Sequence, residues 1–103
     1  MTSEDISRLS KESSICWTSH ILERLFQRGI SIDDVKIALE NSEIIEQYPH
    51  DYPFPSCLVL GRTNKGYPLH VVCGTNGVEL WLITAYCPNS NEWTEDFKQR
   101  RRL

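Results

Sequence analysis

The dipeptide Asn76-Gly77 is the feature that most narrows the folds open to this chain. Apolar runs flank it on both sides, and a type I′ turn needs positive φ angles at both central positions, which asparagine and glycine tolerate best. We therefore expect an antiparallel hairpin of residues 67–74 and 78–86. A further turn at Asn64-Lys65-Gly66 adds a preceding strand at residues 57–62.

The first half of the chain has the periodicity of helices instead. Residues 18–28 are predicted to form a helix, with Thr18 as N-cap and Gly29 after the last turn. Ser31 begins a second helix with a capping box and so completes a helical hairpin. Residues 43–48 are predicted to form another strand, and residues 93–101 a short C-terminal helix.

These elements predict an α+β domain over residues 15–103, preceded by a polar tail or weak helix at residues 1–14. We expect the helical hairpin to pack on a four-stranded, mainly antiparallel sheet. The polar N-terminus lacks the apolar segment of a secretory signal, and no apolar run approaches the roughly 20 residues of a membrane span. We therefore expect a cytoplasmic protein that does not bind a membrane.

A two-residue turn at Asn76-Gly77 would also fix the register of the sheet. One face is then leucine-rich and should carry the helices, together with Tyr86. The other face carries Gly61, His70 and Trp81, which predicts a hollow beside the imidazole and a candidate ligand surface. A slip of one residue would exchange the two faces.

Charge gives little sign of a nucleic-acid-binding surface. The net charge is −3, whereas domains that bind nucleic acids are usually strongly basic. Basic residues concentrate near the end of the chain, at Lys98, Arg100, Arg101 and Arg102. This run is typical either of a solvated tail or of a local patch for an anionic ligand.

The sequence predicts neither a metal site nor a cofactor. The four cysteines contain no C-x-x-C pair, which argues against a zinc ribbon and favours reduced thiols. The three histidines are His20, His50 and His70, and no two of them have the spacing of a shared helix face or alternating strand.

Five polar side chains could carry chemistry. His20, Arg24 and Arg28 follow one another at single-turn intervals on the first predicted helix, where they could bind phosphate and exchange a proton, or form a solvated edge. His70, in an apolar strand, is either a functional imidazole or a half-buried structural one. Tyr86 ends the last strand and is either a phosphate contact or an aromatic residue at the edge of the core.

A series of short motifs over residues 17–102 resembles the family known as domain of unknown function 4258. The motifs are His20-x-x-x-Arg24, Arg28-Gly29-Ile30-Ser31, Asp34-Val35, Glu43-Ile44-Ile45, Tyr48-Pro49, Pro55-Ser56-Cys57-Leu58-Val59-Leu60-Gly61, Pro68-Leu69-His70-Val71-Val72, Ile83-Thr84-x-Tyr86-x-Pro88, Trp93 and Arg100-Arg101. That family in turn is similar to the RelE/ParE-like toxin superfamily, with its helical hairpin and twisted antiparallel sheet.

The resemblance implies a toxin that cleaves RNA without a metal and is neutralised by an antitoxin, in some cases one with a zinc finger. The catalytic candidates are His20, His70 and Tyr86, and the phosphate- or RNA-binding candidates are Arg24, Arg28, Arg100 and Arg101. A histidine would act as general base or acid, and an arginine would steady the phosphate. The acidic net charge keeps open a non-catalytic module on the same fold that binds a protein or a small ligand.

Overall fold

The computed structural model describes residues 2–101, so that Arg102, the last member of the basic run, lies outside the described residues. Within that range the chain forms three α-helices and a five-stranded mixed sheet, which confirms the α+β class. The elements are α1 (Ser3–Lys11), β1 (Ile15–Cys16), α2 (Ser19–Gln27), α3 (Ile32–Glu40), β2 (Glu43–Tyr48), β3 (Ser56–Arg62), β4 (Pro68–Thr75) and β5 (Leu80–Tyr86).

The helical hairpin begins and turns at the predicted residues. The hydroxyl of Thr18 accepts a hydrogen bond from the N–H of Ile21 at 3.2 Å. Ser31 and Asp34 form a reciprocal capping box, with both side-chain-to-backbone bonds at 3.0 Å. Gly29 has a φ of +69°, the left-handed conformation that favours glycine after a helix.

The segment predicted as a tail or weak helix forms α1, which packs against α3. Ile6 and Leu9 are buried in the main core. The hydroxyl of Ser7 donates to the carbonyl of Glu40 at 2.8 Å. These contacts make α1 part of the packed helical layer.

The sheet has the order β1-β5-β4-β3-β2. Three antiparallel pairings join β2 to β3, β3 to β4 and β4 to β5. The prediction of four strands was incomplete, because the two-residue strand β1 pairs with β5 in parallel. Two residues before a helix carry too little periodic pattern to be recognised in the sequence.

The predicted C-terminal helix is wrong. Residues 88–101, the C-terminal segment, form turns and an isolated antiparallel bridge between Trp93 and Arg100. The carboxylate of Asp96 accepts a bond from the N–H of Lys98 at 3.1 Å, and Phe97 has a φ of +60°. Such local side-chain bonds compete with helix formation, and a positive φ is incompatible with it.

The hairpin at Asn76-Gly77 forms with a longer loop than predicted. Thr75 pairs with Leu80, so four residues connect the strands. The side-chain oxygen of Asn76 accepts bonds from the N–H groups of Val78 and Glu79, at 2.9 and 3.0 Å. This side-chain acceptor closes the loop in place of the two-residue type I′ turn.

Two β-bulges then change which residues share a face. In β5 the register shifts between the pairs Cys73–Leu82 and Val72–Thr84, which leaves Ile83 as the extra residue. In β2 the extra residue is Ile45, between Ile44 and Glu46. After each bulge, the remaining residues of the strand lie on the face opposite to the one that regular alternation would give them.

The bulge in β5 makes the predicted faces at the end of that strand wrong. The predicted faces of β3 were also wrong, because Arg62 pairs with Pro68 across a five-residue loop. Gly61 pairs with Leu69 rather than lying beside His70, and it faces the helices. A Cβ atom on Gly61 would lie only 2.2 Å from the carbonyl oxygen of Ala38 in α3. Glycine at this position thus lets α3 approach the sheet, and no hollow beside the imidazole results.

The sheet has two differently covered faces. The helix face, which carries Val59, Val71 and Ala85, forms the main core with the helices. We call the opposite face, with Leu58, Leu60, His70, Thr84 and Tyr86, the histidine face. Among the described residues, no helix is long and apolar enough to cross a membrane.

Candidate functional site

The C-terminal segment covers the histidine face. Trp93 is buried there, outside the main core cluster, together with Leu58 and Leu60. Its ring meets that of His70 edge-on, with centroids 4.4 Å apart and an interplanar angle of 88°. A small second core therefore surrounds the imidazole.

The hydrogen bonds of His70 define its tautomer. Nε2 lies 2.8 Å from the carbonyl oxygen of Phe97, which can only accept, so Nε2 carries a proton. Burial lowers the pKa of His70, which favours the neutral ring at neutral pH. Nδ1 then offers a lone pair to the hydroxyl of Tyr86, 3.3 Å away.

Tyr86 is the accessible member of this chain of hydrogen bonds. Its side chain is half-buried, whereas His70 is fully buried. Burial raises the pKa of Tyr86, so its hydroxyl remains protonated at neutral pH. The positive charges of Arg28 and Arg100 act to lower the pKa of Tyr86, but burial outweighs them.

Arg28 reaches the same edge of the sheet from the end of α2. Its Nη1 donates to the hydroxyl of Thr84 at 3.0 Å and to the carbonyl of Ala85 at 2.7 Å. Both bonds use one nitrogen of the guanidinium. The bulge at Ile83 makes this arrangement, because it brings Thr84 and Tyr86 together to the histidine face.

Arg100 is held over the other side of the cluster. Its Nε and Nη2 donate to the two carboxylate oxygens of Glu46, at 3.0 and 3.1 Å, and its guanidinium lies 4.7 Å from the ring centroid of Trp93. Burial raises the pKa of Glu46, but hydrogen bonds from Arg100 and Tyr48 outweigh it and lower the pKa below its usual value. Burial and the bond to Glu46 raise the pKa of Tyr48 to about 12.

Four of the seven predicted site residues come together here, namely Arg28, His70, Tyr86 and Arg100. His20 and Arg24 are exposed on α2. Within residues 2–101 neither makes a hydrogen bond or ion pair with this cluster. Arg101 donates to the carbonyl of Ser90 at 2.7 Å, within the C-terminal segment.

Three contributors were not predicted as part of the site. They are Trp93, the backbone carbonyl of Phe97, and Glu46. Trp93 carried a signal, since it is one of the motifs by which the sequence resembles the family. No sequence pattern marks a backbone carbonyl such as that of Phe97 as a partner of His70. Nor does any pattern show that a bulge places Glu46 on the histidine face.

A second feature of this side of the sheet is an apolar groove of about 370 Å³, lined by Tyr52, Pro53, Phe54, Trp81 and Ile83 among others. The rings of Phe54 and Trp81 stack with centroids 5.0 Å apart. Tyr52 is 95 % exposed and Ile83 50 % exposed.

In the part of the chain that the structure describes, no group of three or more His, Cys, Asp or Glu residues could hold a metal ion.

Fold and site together define a small α+β protein in which the chain's own C-terminal segment encloses a histidine–tyrosine pair. The model of the family described as "Domain of unknown function (DUF4258)" matches residues 17–87, and the chain belongs to this family. The matched residues include Arg28, His70 and Tyr86 and end before Trp93. No curated protein and no solved structure matches the chain.

Proposed function

We propose that this protein is the toxin of a toxin–antitoxin pair and a metal-independent endoribonuclease, as its resemblance to the RelE/ParE-like superfamily implies. The observation that supports this most directly is the hydrogen-bonded series from Tyr86 through His70 to the carbonyl of Phe97. It has the form of an activated hydroxyl: a group that can exchange a proton, a base behind it, and a third group that orients the base.

Cleavage of RNA without a metal begins with removal of the proton from a ribose 2′-hydroxyl. In the proposed step, the phenol oxygen of Tyr86 takes this proton while its own proton passes to Nδ1 of His70. The 2′-oxygen bonds to the adjacent phosphorus, and the 5′-oxygen leaves and takes a proton from water. The products are a 2′,3′-cyclic phosphate and a free 5′-hydroxyl.

The surroundings of His70 suit this role. Its lowered pKa keeps Nδ1 unprotonated at neutral pH and therefore able to accept. The carbonyl of Phe97 fixes Nε2–H and stabilises the imidazolium once it forms. His70 touches no substrate in this scheme and acts through Tyr86.

The guanidinium groups of Arg28 and Arg100 would stabilise the negative charge on the phosphate. Arg28 is the better placed, because it is exposed and bonds Thr84 and Ala85 through Nη1 alone. Arg100 already forms an ion pair with Glu46, which partly neutralises its charge. The antitoxin would then neutralise the protein by covering this edge of the sheet.

Induced expression in a bacterial host tests the proposal. We expect wild type to arrest growth and degrade RNA, and Tyr86→Phe, which removes only the hydroxyl, to lose both effects at equal soluble expression. Arg28→Gln should weaken cleavage by about 100-fold, the scale of one lost transition-state contact. His20→Gln and Arg24→Gln are matched controls on exposed α2 and should remain toxic.

Two outcomes would overturn the proposal. Full toxicity of Tyr86→Phe would exclude the proton path, and absence of both arrest and cleavage in wild type would exclude the enzyme. Cleavage by purified protein should also decline as pH falls through the lowered pKa of His70, because protonated Nδ1 can no longer accept.

The apolar groove favours a second candidate, a non-catalytic module that binds a protein. Exposed apolar surface of this kind is typical of interaction sites. If binding alone arrests growth, Ile83→Asp should abolish the arrest and Tyr86→Phe should not. The same expression experiment therefore separates the two functions.

A further inference from the structure

A separate cleft lies beside Arg28. It occupies about 250 Å³ between the α2–α3 turn and the β3–β4 turn, and its lining includes Asp34, Lys65, Tyr67 and Leu69. Pockets for drug-sized ligands run from roughly 300 to 1,000 Å³. The cleft is thus of a size for one flat ring system with a charged group attached.

One wall of the cleft is preformed. The N–H of Thr63 donates to the carbonyl of Tyr67 at 2.9 Å, and the N–H of Tyr67 donates to the hydroxyl of Thr63 at 3.2 Å. The N–H of Gly66 closes the turn by a 2.9 Å bond to the carbonyl of Thr63. Binding would need little ordering of this loop, which limits its entropic cost.

The chemistry of the lining matches a nucleotide. Tyr67, which is 63 % exposed, and the buried Leu69 both line the cleft, so that it offers an aromatic ring and an aliphatic side chain. Arg28 and Lys65 supply two positive charges for a phosphate. Oδ2 of Asp34 accepts the capping bond from Ser31, which leaves Oδ1 as an acceptor for an exocyclic amine of a base.

We propose that this cleft binds one nucleotide of single-stranded RNA, with its base on Tyr67 and its phosphate between Lys65 and Arg28. The proposal rests on the proposed function, since the cleft would hold part of the RNA whose cleavage is assigned to Tyr86. Arg28 joins the two places: it lines the cleft, and it bonds Thr84, which shares the histidine face with Tyr86. Proteins recognise single strands in this way, by stacking bases on aromatic rings beside a cationic track.

Binding can be measured without cleavage. The probe is a short fluorescein-labelled single-stranded RNA in which every ribose is 2′-O-methylated, titrated with the full chain and followed by anisotropy. Tyr67→Ser should weaken the Kd by about five- to 100-fold, the scale of one lost stacking contact. Tyr67→Phe should retain wild-type binding, and Lys65→Gln should reduce the salt slope by about 1.

Tyr52→Ser is the matched control, because it removes another exposed tyrosine, in the apolar groove. It should bind the probe as wild type does. The proposal is overturned if wild type does not bind the probe, if Tyr67→Ser binds it as tightly as wild type, or if Tyr52→Ser loses as much affinity. Binding of adenosine monophosphate without binding of the RNA probe would also overturn it, in favour of a free nucleotide.

Cleavage of unmodified RNA reports on the proposed function independently. Tyr67-dependent binding of the methylated probe, without any cleavage of unmodified RNA, would leave the subsite standing and exclude the enzyme. If cleavage requires Tyr86 but binding of the probe does not depend on Tyr67, the enzyme is supported and the subsite is excluded.

Discussion

The two faces of the sheet are covered by different kinds of contact. Helices cover the helix face through apolar side chains such as Ile21, Leu25 and Val35. The C-terminal segment covers the histidine face through Trp93, the bond between His70 and Phe97, and the ion pairs Arg100–Glu46 and Lys98–Glu43. The apolar contacts of the helix face are non-directional and tolerate small changes of geometry. The contacts of the histidine face depend on a few groups in a fixed geometry.

The difference has a consequence for specificity. Within the described residues, no buried side-chain nitrogen or oxygen lacks a hydrogen-bond partner. A fully satisfied polar cluster rigidifies the groups it contains. The histidine face therefore holds Tyr86 in a defined position, although its cover has no regular secondary structure.

Removal of Trp93 should give the largest effect on stability and is the strongest test of this comparison. We expect Trp93→Ala to reduce the free energy of unfolding by about 3–5 kcal/mol, because a buried aromatic ring leaves a cavity. Trp81→Ala, at the half-buried tryptophan of the groove, is the matched control and should cost less. Equal urea midpoints for the two variants would show that the C-terminal segment is not part of the packed structure.

On the helix face, the most sensitive position is Gly61. Gly61→Ala should destabilise the protein by about 3 kcal/mol, since its Cβ would meet the backbone of α3, which cannot move independently. Gly29→Ala is the control: space is open there, and the positive φ alone should cost about 1 kcal/mol. Urea denaturation of both variants measures the difference, and a smaller loss for Gly61→Ala than for Gly29→Ala would contradict the close approach of α3.

A smaller effect is expected from the ion pair that anchors the segment. Arg100→Gln removes a two-point bond to Glu46 and the contact with Trp93, and should cost about 1 kcal/mol. Arg8→Gln breaks a single exposed pair with Glu12 in the helical layer and should cost about 0.3 kcal/mol. If the two losses are the same, the geometry at Arg100 adds nothing to stability.

The smallest expected effect is the dependence of stability on pH. The folded pKa of His70 lies below its unfolded value, so protonation favours the unfolded chain. Stability should therefore be complete above about pH 6.5 and fall as pH decreases from there towards the folded pKa. The lowered pKa of Glu46 should add a further loss below about pH 4.3.

His70→Gln should remove the first of these two losses, while His20→Gln, at an exposed position on α2, should retain it. Urea midpoints measured between about pH 7 and pH 5 distinguish the variants. A wild-type slope in His70→Gln would assign the pH dependence to another group.

Local signals predicted the helical hairpin well, because caps at Thr18 and Ser31 and the left-handed Gly29 act within a few residues. The sheet was predicted less well. Loop length at Asn76 depends on a side-chain bond, and the bulges depend on packing between strands distant in sequence. The face of Gly61 was misassigned because the loop between β3 and β4 has five residues, and the face of Tyr86 was misassigned because the bulge at Ile83 was missed.

The candidate site was predictable in part. The family resemblance gave His70, Tyr86 and Arg28, which do come together, and also His20 and Arg24, which do not. Residues that belong to the motifs of one family need not be neighbours in the structure. The cover over His70 could not be predicted, because the segment owes its course to individual turns rather than to a periodic pattern.

Each of the two bulges determines which face of the sheet the following residues of its strand occupy. If Ile83 were paired regularly and not bulged, Tyr86 would project among the helices, and regular pairing of Ile45 would place Glu46 and Tyr48 there as well. The chemical identity of the histidine face is thus determined by two bulges at residues that themselves perform no chemistry. A change of pairing that removed either bulge would alter this site, with every polar side chain still present in the chain.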